Sequence, residues 1–449
     1  MTRQHRGPRL AAYLFASCAA LALAGCDTVS GWFGGGGEPP LPGQRISVMT
    51  VDKRIEIDAA NAGRPLSYGQ PNANADWPQA GGAPDHAMGH LALSANPQPA
   101  WSIDIGSGSS GGQPLLGTPV IAGGVLATID SDGVVSTFDA QTGGRRWSTS
   151  VRPEKERGDA PGGGVALDGG KLFVGTGYAE VLALNVADGS ILWRKKVSGP
   201  VRGAPTAVGG RVYALTLDNQ VVALSADDGG LLWTHSGIIE SAGLLGGNSV
   251  AVGSGLVAAP YSSGELYGLR ADNGRPLWQE SLAAARIMGS MGVLSDIRGL
   301  PVIDRGAVYA VSNAGRIMAV DERTGGRLWE RDIGGSQTPW VAGEQVFVAT
   351  SDAQVAALDR GTGAVRWVVQ LQQYRKPEGK VDPVAWAGPV LAGGRLWLTN
   401  SLGKLVGLSP DNGAQVAELG LSTATFLPPV AAGGMLYVLS DNATLTAFR

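Results

Sequence analysis

Side chains able to do chemistry are scarce in this sequence, and Cys26 is the first that stands out. It ends Leu23-Ala24-Gly25-Cys26, where small residues precede a cysteine whose thiol can accept a lipid. Arg3, Arg6 and Arg9 form a basic stretch ahead of it. Leu10 to Leu23 form an apolar run, too short and too rich in small residues for a transmembrane helix. Residues 1–25 are therefore expected to be a lipoprotein signal peptide, with Cys26 the lipidated residue. The one other cysteine, Cys18, falls inside that signal, which leaves the mature chain no disulfide and no thiol nucleophile.

Histidine offers little more. His86 and His90 stand in DHAMGH, a spacing that suits a metal only on a helix. The neighbouring Pro84 and Gly89 oppose a helix, and no third ligand is evident, so no metal site is expected. His5 belongs to the signal, and His235 reads as an exposed strand residue. SGSSGG (107–112) resembles a phosphate cradle but lacks the lysine and the following helix, so it reads as a loop. No catalytic residue and no cofactor are assigned. A net charge of −3 with mixed signs gives no case for nucleic acid or an anionic membrane surface.

The elements that would position any site come from a repeat. Glycine accounts for 69 of 449 residues, about twice ordinary usage, while charged residues reach only 16%. DAQTGGRRW (139–147) recurs as NVADGSILW, SADDGGLLW, RADNGRPLW, DERTGGRLW and DRGTGAVRW, with a copy lacking Trp in SPDNGAQVA (409–417). The glycine four residues before each Trp is Gly143, Gly189, Gly229, Gly274, Gly325 or Gly363, and Gly413 holds the place in the last copy. Successive steps are 46, 40, 45, 51, 38 and 50 residues. Each unit reads as four short β segments separated by Gly-Gly, Asp-Gly or Asn-Gly turns, which is the pattern of a propeller blade.

The expected fold is all-β: an eight-bladed β-propeller of four-stranded antiparallel blades. The C-terminal unit has three strands, and PAWSIDIG (99–106) is expected to supply its fourth, closing the ring from the N-terminal side. The expected organisation is signal 1–25, flexible Gly/Pro tether 26–45, N-terminal extension 46–98 and propeller 99–449. Trp101, Trp147, Trp193, Trp233, Trp278, Trp329 and Trp367 recur once per unit. That regularity assigns them to blade interfaces rather than to a ligand. Trp340 and Trp386 fall outside the register, and core packing is the reading for both. Irregular length is confined to the blade-to-blade connections, chiefly 152–163, 236–247, 282–299 and 372–388, which places function on the face they share.

The Asp-x-x-Thr-Gly-x-x-x-Trp unit resembles the quinoprotein-type (pyrroloquinoline quinone) propeller repeat, and DWPQAGG (76–82) resembles that superfamily's N-terminal segment. The superfamily includes quinone- and Ca²⁺-dependent dehydrogenases. It also includes a lipoprotein family of the outer-membrane β-barrel assembly machinery, which has the fold without the cofactor. Lipobox, glycine tether, PLPGQRISV (41–49) and a single uninterrupted propeller resemble the second group.

The resemblance implies a non-enzymatic scaffold on the periplasmic side of the outer membrane. It would bind the POTRA domains of the barrel-inserting partner, alongside other lipoproteins of the complex and unfolded barrel precursors. Two loops carry that docking in the family. One falls on residues 242–247 and keeps Leu244 and Leu245 without the family's Arg. The other falls on Leu294-Ser295-Asp296-Ile297-Arg298, with Arg298 where the family has a second Asp. The leucines are expected as anchors and Asp296 as an orienting charge, with ordinary loop packing the alternative for the leucines. Asp27, directly after Cys26, is a residue that retains lipoproteins at the inner membrane in some bacteria. Two other functions stay open. A quinone-dependent dehydrogenase would need carboxylates and Asn converging on the axis, and a cell-wall binder would need aromatics lining an open face.

Overall fold

The computed structural model describes residues 55–449, apart from 60–62, 64, 157, 202, 241–243, 245, 247 and 284–294. Cys26, Asp27, the tether and Leu245 lie outside the described residues. Eight four-stranded antiparallel sheets form the propeller. The first blade is Val120–Ala122, Val125–Ile129, Val134–Asp139 and Arg145–Ser150, running from the axis outward. The eighth takes Val430–Ala432, Met435–Leu439 and Thr444–Phe448 from the C-terminus and Pro99–Asp104 from the N-terminal side. In that closing pair Trp101 faces Ala447 and Ile103 faces Leu445. A small hairpin, Tyr374–Lys376 with Val381–Pro383, is the added structure in the 372–388 connection.

The burial of the strands follows from radial packing. Middle strands such as Lys171–Thr176 and Val134–Asp139 are buried on both faces, because a neighbouring blade covers each side. They accordingly read as continuous apolar runs instead of alternating ones. Outer strands such as Arg145–Ser150 and Ile191–Lys196 alternate between exposed and half-buried. The turn leading to each outer strand is held by its own residues. Asp139 Oδ1 accepts the N–H groups of Gln141 and Thr142 and the Thr142 hydroxyl, while Gly143 sits at φ +75°.

The glycine and the tryptophan of the repeat meet across blades, not within one. Trp147 Nε1–H donates to the Val186 carbonyl at 2.9 Å, and its ring lies over Gly189. Trp101, Trp193, Trp233, Trp278, Trp329 and Trp367 make the same two contacts with the blade that follows each of them.

Residues 74–91 form a strap that encircles the axis and bonds to every blade at the end where the short first-to-second-strand turns lie. The Asn74 carbonyl accepts Gly433 N–H of the eighth blade, and Trp77 exchanges two bonds with Ile121 of the first. Pro78 then accepts from Leu167, the Gln79 side chain brackets Ala207, Pro84 accepts from Val252 and Asp85 from Ile303. Gly89 accepts the Trp340 indole N–H, and Leu91 pairs with Leu391 and Gly393. Upstream, Asp58 bonds Val365 on the outer strand of the sixth blade. Among the described residues no helix is long and apolar enough to cross a membrane.

Candidate functional site: the axial cavity and the connection face

The connections that enter the inner strands ring one end of the axis, and the strap closes the other. Between them lies a cavity of about 150 Å³, with Trp77, His86, Arg298, Gln337, Trp340 and Phe426 among its lining residues. Trp77 and Trp340 stack at 6.1 Å between ring centroids, inclined by 16°. Trp340 therefore serves both core and cavity, whereas Trp386 is half-buried and donates to the Gln372 carbonyl.

His86 and His90 are held apart by separate backbone partners. His86 Nδ1 lies 2.7 Å from the Pro301 carbonyl, and burial, opposed by that bond, lowers its pKa to about 4. A carbonyl only accepts, so the proton resides on Nδ1 of a neutral ring. His90 Nδ1 pairs with the Gly69 carbonyl, and its Nε2 accepts Gly394 N–H. No group of three His, Cys, Asp or Glu suited to a metal occurs among the described residues. His235 differs from its expected exposure. Its Nδ1 is 2.7 Å from Tyr261 Oη, its ring lies 4.6 Å from that of Tyr267, and burial lowers its pKa against the nearby Glu265. Tyr261 belongs to the next blade, so nothing in the local sequence announces this contact. In the 107–112 loop, the Ser107 and Ser109 hydroxyls donate to Asp132 and Asp441, an acidic environment unsuited to phosphate.

On the connection face, Asp296 is 4% exposed. Its Oδ2 accepts Leu244 N–H at 2.9 Å, and its Oδ1 accepts from Asn248 Nδ2 at 3.3 Å. The carboxylate thus ties the 236–247 connection to the 282–299 connection. Ile297 is fully buried beside it, and Asn313 N–H bonds the Asp296 carbonyl. Arg298 packs its guanidinium on Gly246, and burial lowers its pKa while Asp296 opposes that shift. Leu244 is half-buried at this junction.

Two residues that the sequence reading passed over stand beside it. Ile238 is 60% exposed and Ile239 72%. Their backbone is fixed from both sides: Ile238 N–H donates to Glu265 Oε2, its carbonyl accepts from Asn219 Nδ2, and Gly237 N–H donates to the Asn219 carbonyl. Two adjacent isoleucines in an otherwise polar connection were the signal available in the sequence.

A family model described as outer membrane protein assembly factor BamB matches residues 131–369. The BamB of Xanthomonas campestris pv. campestris is 31% identical over 96% of this chain and 95% of its own length. The chain belongs to the BamB family. The Escherichia coli BamB is 32% identical over 78% of this chain and 88% of its own. Among solved structures, BamB from Moraxella catarrhalis matches with a TM-score of 0.68 at 17% identity, over 79% of this chain and 100% of that one. The quinohemoprotein alcohol dehydrogenase of Comamonas testosteroni reaches 0.65 at 16% identity, over 83% of this chain and 80% of that one.

These structural likenesses show the fold, which BamB shares with enzymes, so the residues of the site must discriminate between them. A quinone held with Ca²⁺ on the axis needs hard oxygen ligands. Among the described residues no Asp, Glu or Asn lines the axial cavity. The cavity of this BamB-family chain does not fit that pair.

Proposed function

We propose that this chain is a non-enzymatic scaffold lipoprotein of the outer-membrane protein assembly machinery, held by lipid on Cys26 at the periplasmic side of the outer membrane. It docks the POTRA domains of the barrel-inserting partner (BamA), and other lipoproteins of that complex assemble with it. The observation that carries this reading is the junction of two connections on one face. There Asp296 holds the Leu244 backbone, and Ile238 and Ile239 are presented to solvent on a fixed backbone. Apolar side chains kept exposed by rigid support are what an interface anchor requires. Leu244 and Leu245 supply further apolar surface. In this arrangement Asp296 and Arg298 shape the loops that meet the partner. A second mode of assistance uses the outer strand of every blade, which leaves one backbone edge unpaired and able to receive a strand of an unfolded barrel precursor.

The test is purification of the tagged lipoprotein from its own membranes in mild detergent, with mass spectrometry of co-purifying chains. A POTRA-containing barrel protein is expected with the natural sequence and is lost from the Ile238→Asp/Ile239→Asp variant, while thermal unfolding stays unchanged. Full recovery of that partner by the double variant would overturn the docking face. Dye-linked oxidation appearing on addition of quinone and Ca²⁺ would overturn the non-enzymatic reading. Fractionation of the membranes decides between the outer membrane and the inner-membrane retention that Asp27 would favour.

A further inference from the structure

We propose that the axial cavity is a binding site for a small single-ring carboxylic acid that also carries a hydrogen-bond donor. The inference does not rest on the docking face and survives its failure. Size sets the first limit. A cavity of about 150 Å³ has the volume of an engineered apolar cavity that takes one benzene ring, and three fused rings exceed it. The walls set the second. Leu115, Val390, Phe426 and the Trp77–Trp340 stack offer apolar surface that water does not reward.

The polar groups set the rest. Trp77 Nε1 and His86 Nε2 are both buried without a hydrogen-bond partner, on side chains each 3% exposed. Leaving such atoms unpaired is costly, and in native structures they mark places where a group is still to be supplied. An indole N–H only donates, so Trp77 requires an acceptor. His86 carries its proton on Nδ1, toward Pro301, so Nε2 requires a donor. Arg298 places a guanidinium in the wall. The carboxylate facing it, Asp296, already has its two oxygens on Leu244 and Asn248. A ligand carboxylate placed between Arg298 and the Trp77 indole, with a hydroxyl or N–H toward His86, satisfies all three groups while its ring fills the apolar space. Ordered water could pair with the two orphaned atoms, but it brings neither the negative charge nor the apolar body.

The experiment uses 4-hydroxyphenylacetate as the probe, the detergent-solubilised full-length lipoprotein, titration calorimetry, and fluorine NMR of protein labelled with 5-fluorotryptophan. One-to-one binding is expected, with movement of the Trp77 resonance, which Trp77→Phe identifies by its loss. Affinity is expected to fall roughly ten-fold or more for Arg298→Gln, and equally for 4-hydroxyphenylacetamide or 4-methoxyphenylacetate on the natural sequence. The two analogues test the charge and the donor without altering the protein, so a folding defect in the variant cannot obscure the answer. Absence of binding at millimolar probe, a still Trp77 resonance, or equal affinity for the analogues would overturn the proposal and leave the cavity to water.

Discussion

The Trp278 indole lies against Gly325 of the following blade, and its Nε1–H donates to the Glu322 carbonyl at 2.8 Å. A Cβ on Gly325 would meet Trp278 Cβ at 2.4 Å, and the glycine sits at φ +71°. Gly306, in the same blade, has φ +81° and open space where a Cβ would stand. Gly306→Ala therefore bears backbone strain alone and should cost about 1 kcal/mol. Gly325→Ala adds displacement of the tryptophan and should cost about 3 kcal/mol or more. Guanidinium unfolding midpoints of the two variants check the difference.

His86 predicts an acid sensitivity. Its folded pKa of about 4 lies below the ordinary 6.5. Between those values the unfolded chain takes up a proton that the folded chain does not. The stability is complete above pH 6.5 and is lost as the pH falls toward 4, by about 3 kcal/mol over the full span. Urea unfolding at pH 7.5 and 4.5 should show a smaller difference for His86→Gln than for the natural sequence. An unchanged difference would assign the acid sensitivity to other groups.

Gln79 joins the strap to the third blade through both ends of its amide, buried against Ala207. Gln79→Ala leaves the Ala207 N–H and carbonyl without partners and should cost about 3 kcal/mol. Hydrogen exchange should quicken first in the strand Thr206–Val208. Protection that stays uniform across all blades would contradict a local role for the strap.

Asp296→Ala removes the acceptor for Leu244 N–H. The expected stability loss is about 1–2 kcal/mol, because a part-buried donor is left unpaired. Recovery of the POTRA-containing partner should fall by more than that loss explains, as the loop no longer holds its shape. Co-purification at a temperature where the variant remains fully folded separates the two effects.

Cys26→Ser should abolish lipid incorporation and release the chain from the membrane fraction, with the propeller's unfolding midpoint unchanged. Labelled palmitate and fractionation provide the readout. Lipid that persists in the variant would place the anchor elsewhere.

The period of the blades, their four strands and the closing role of residues 99–106 were legible because each depends on local chemistry. Glycine supplies positive φ at a turn, Asp or Asn braces that turn, and apolar runs mark buried strands. The same pattern does not say that the glycine of one repeat serves the tryptophan of the preceding one. The strap was not legible either. Its partners are mostly backbone groups, which carry no sequence signature, and Gln79 meets Ala207 across 128 positions.

The site divides in the same way. Loop lengths picked out the connection face, and the Leu-Ser-Asp-Ile-Arg stretch picked out Asp296. Its enclosure came from the Leu244 loop folding over it, a contact across 52 positions. Sequence alone determined the propeller, its number of blades and the face with variable length, since these follow from short-range turn and strand preferences repeated along the chain. Tertiary structure alone decided which polar groups are buried, which apolar ones remain in solvent and what closes the axis. Those properties arise from contacts between segments that only the closed ring brings together.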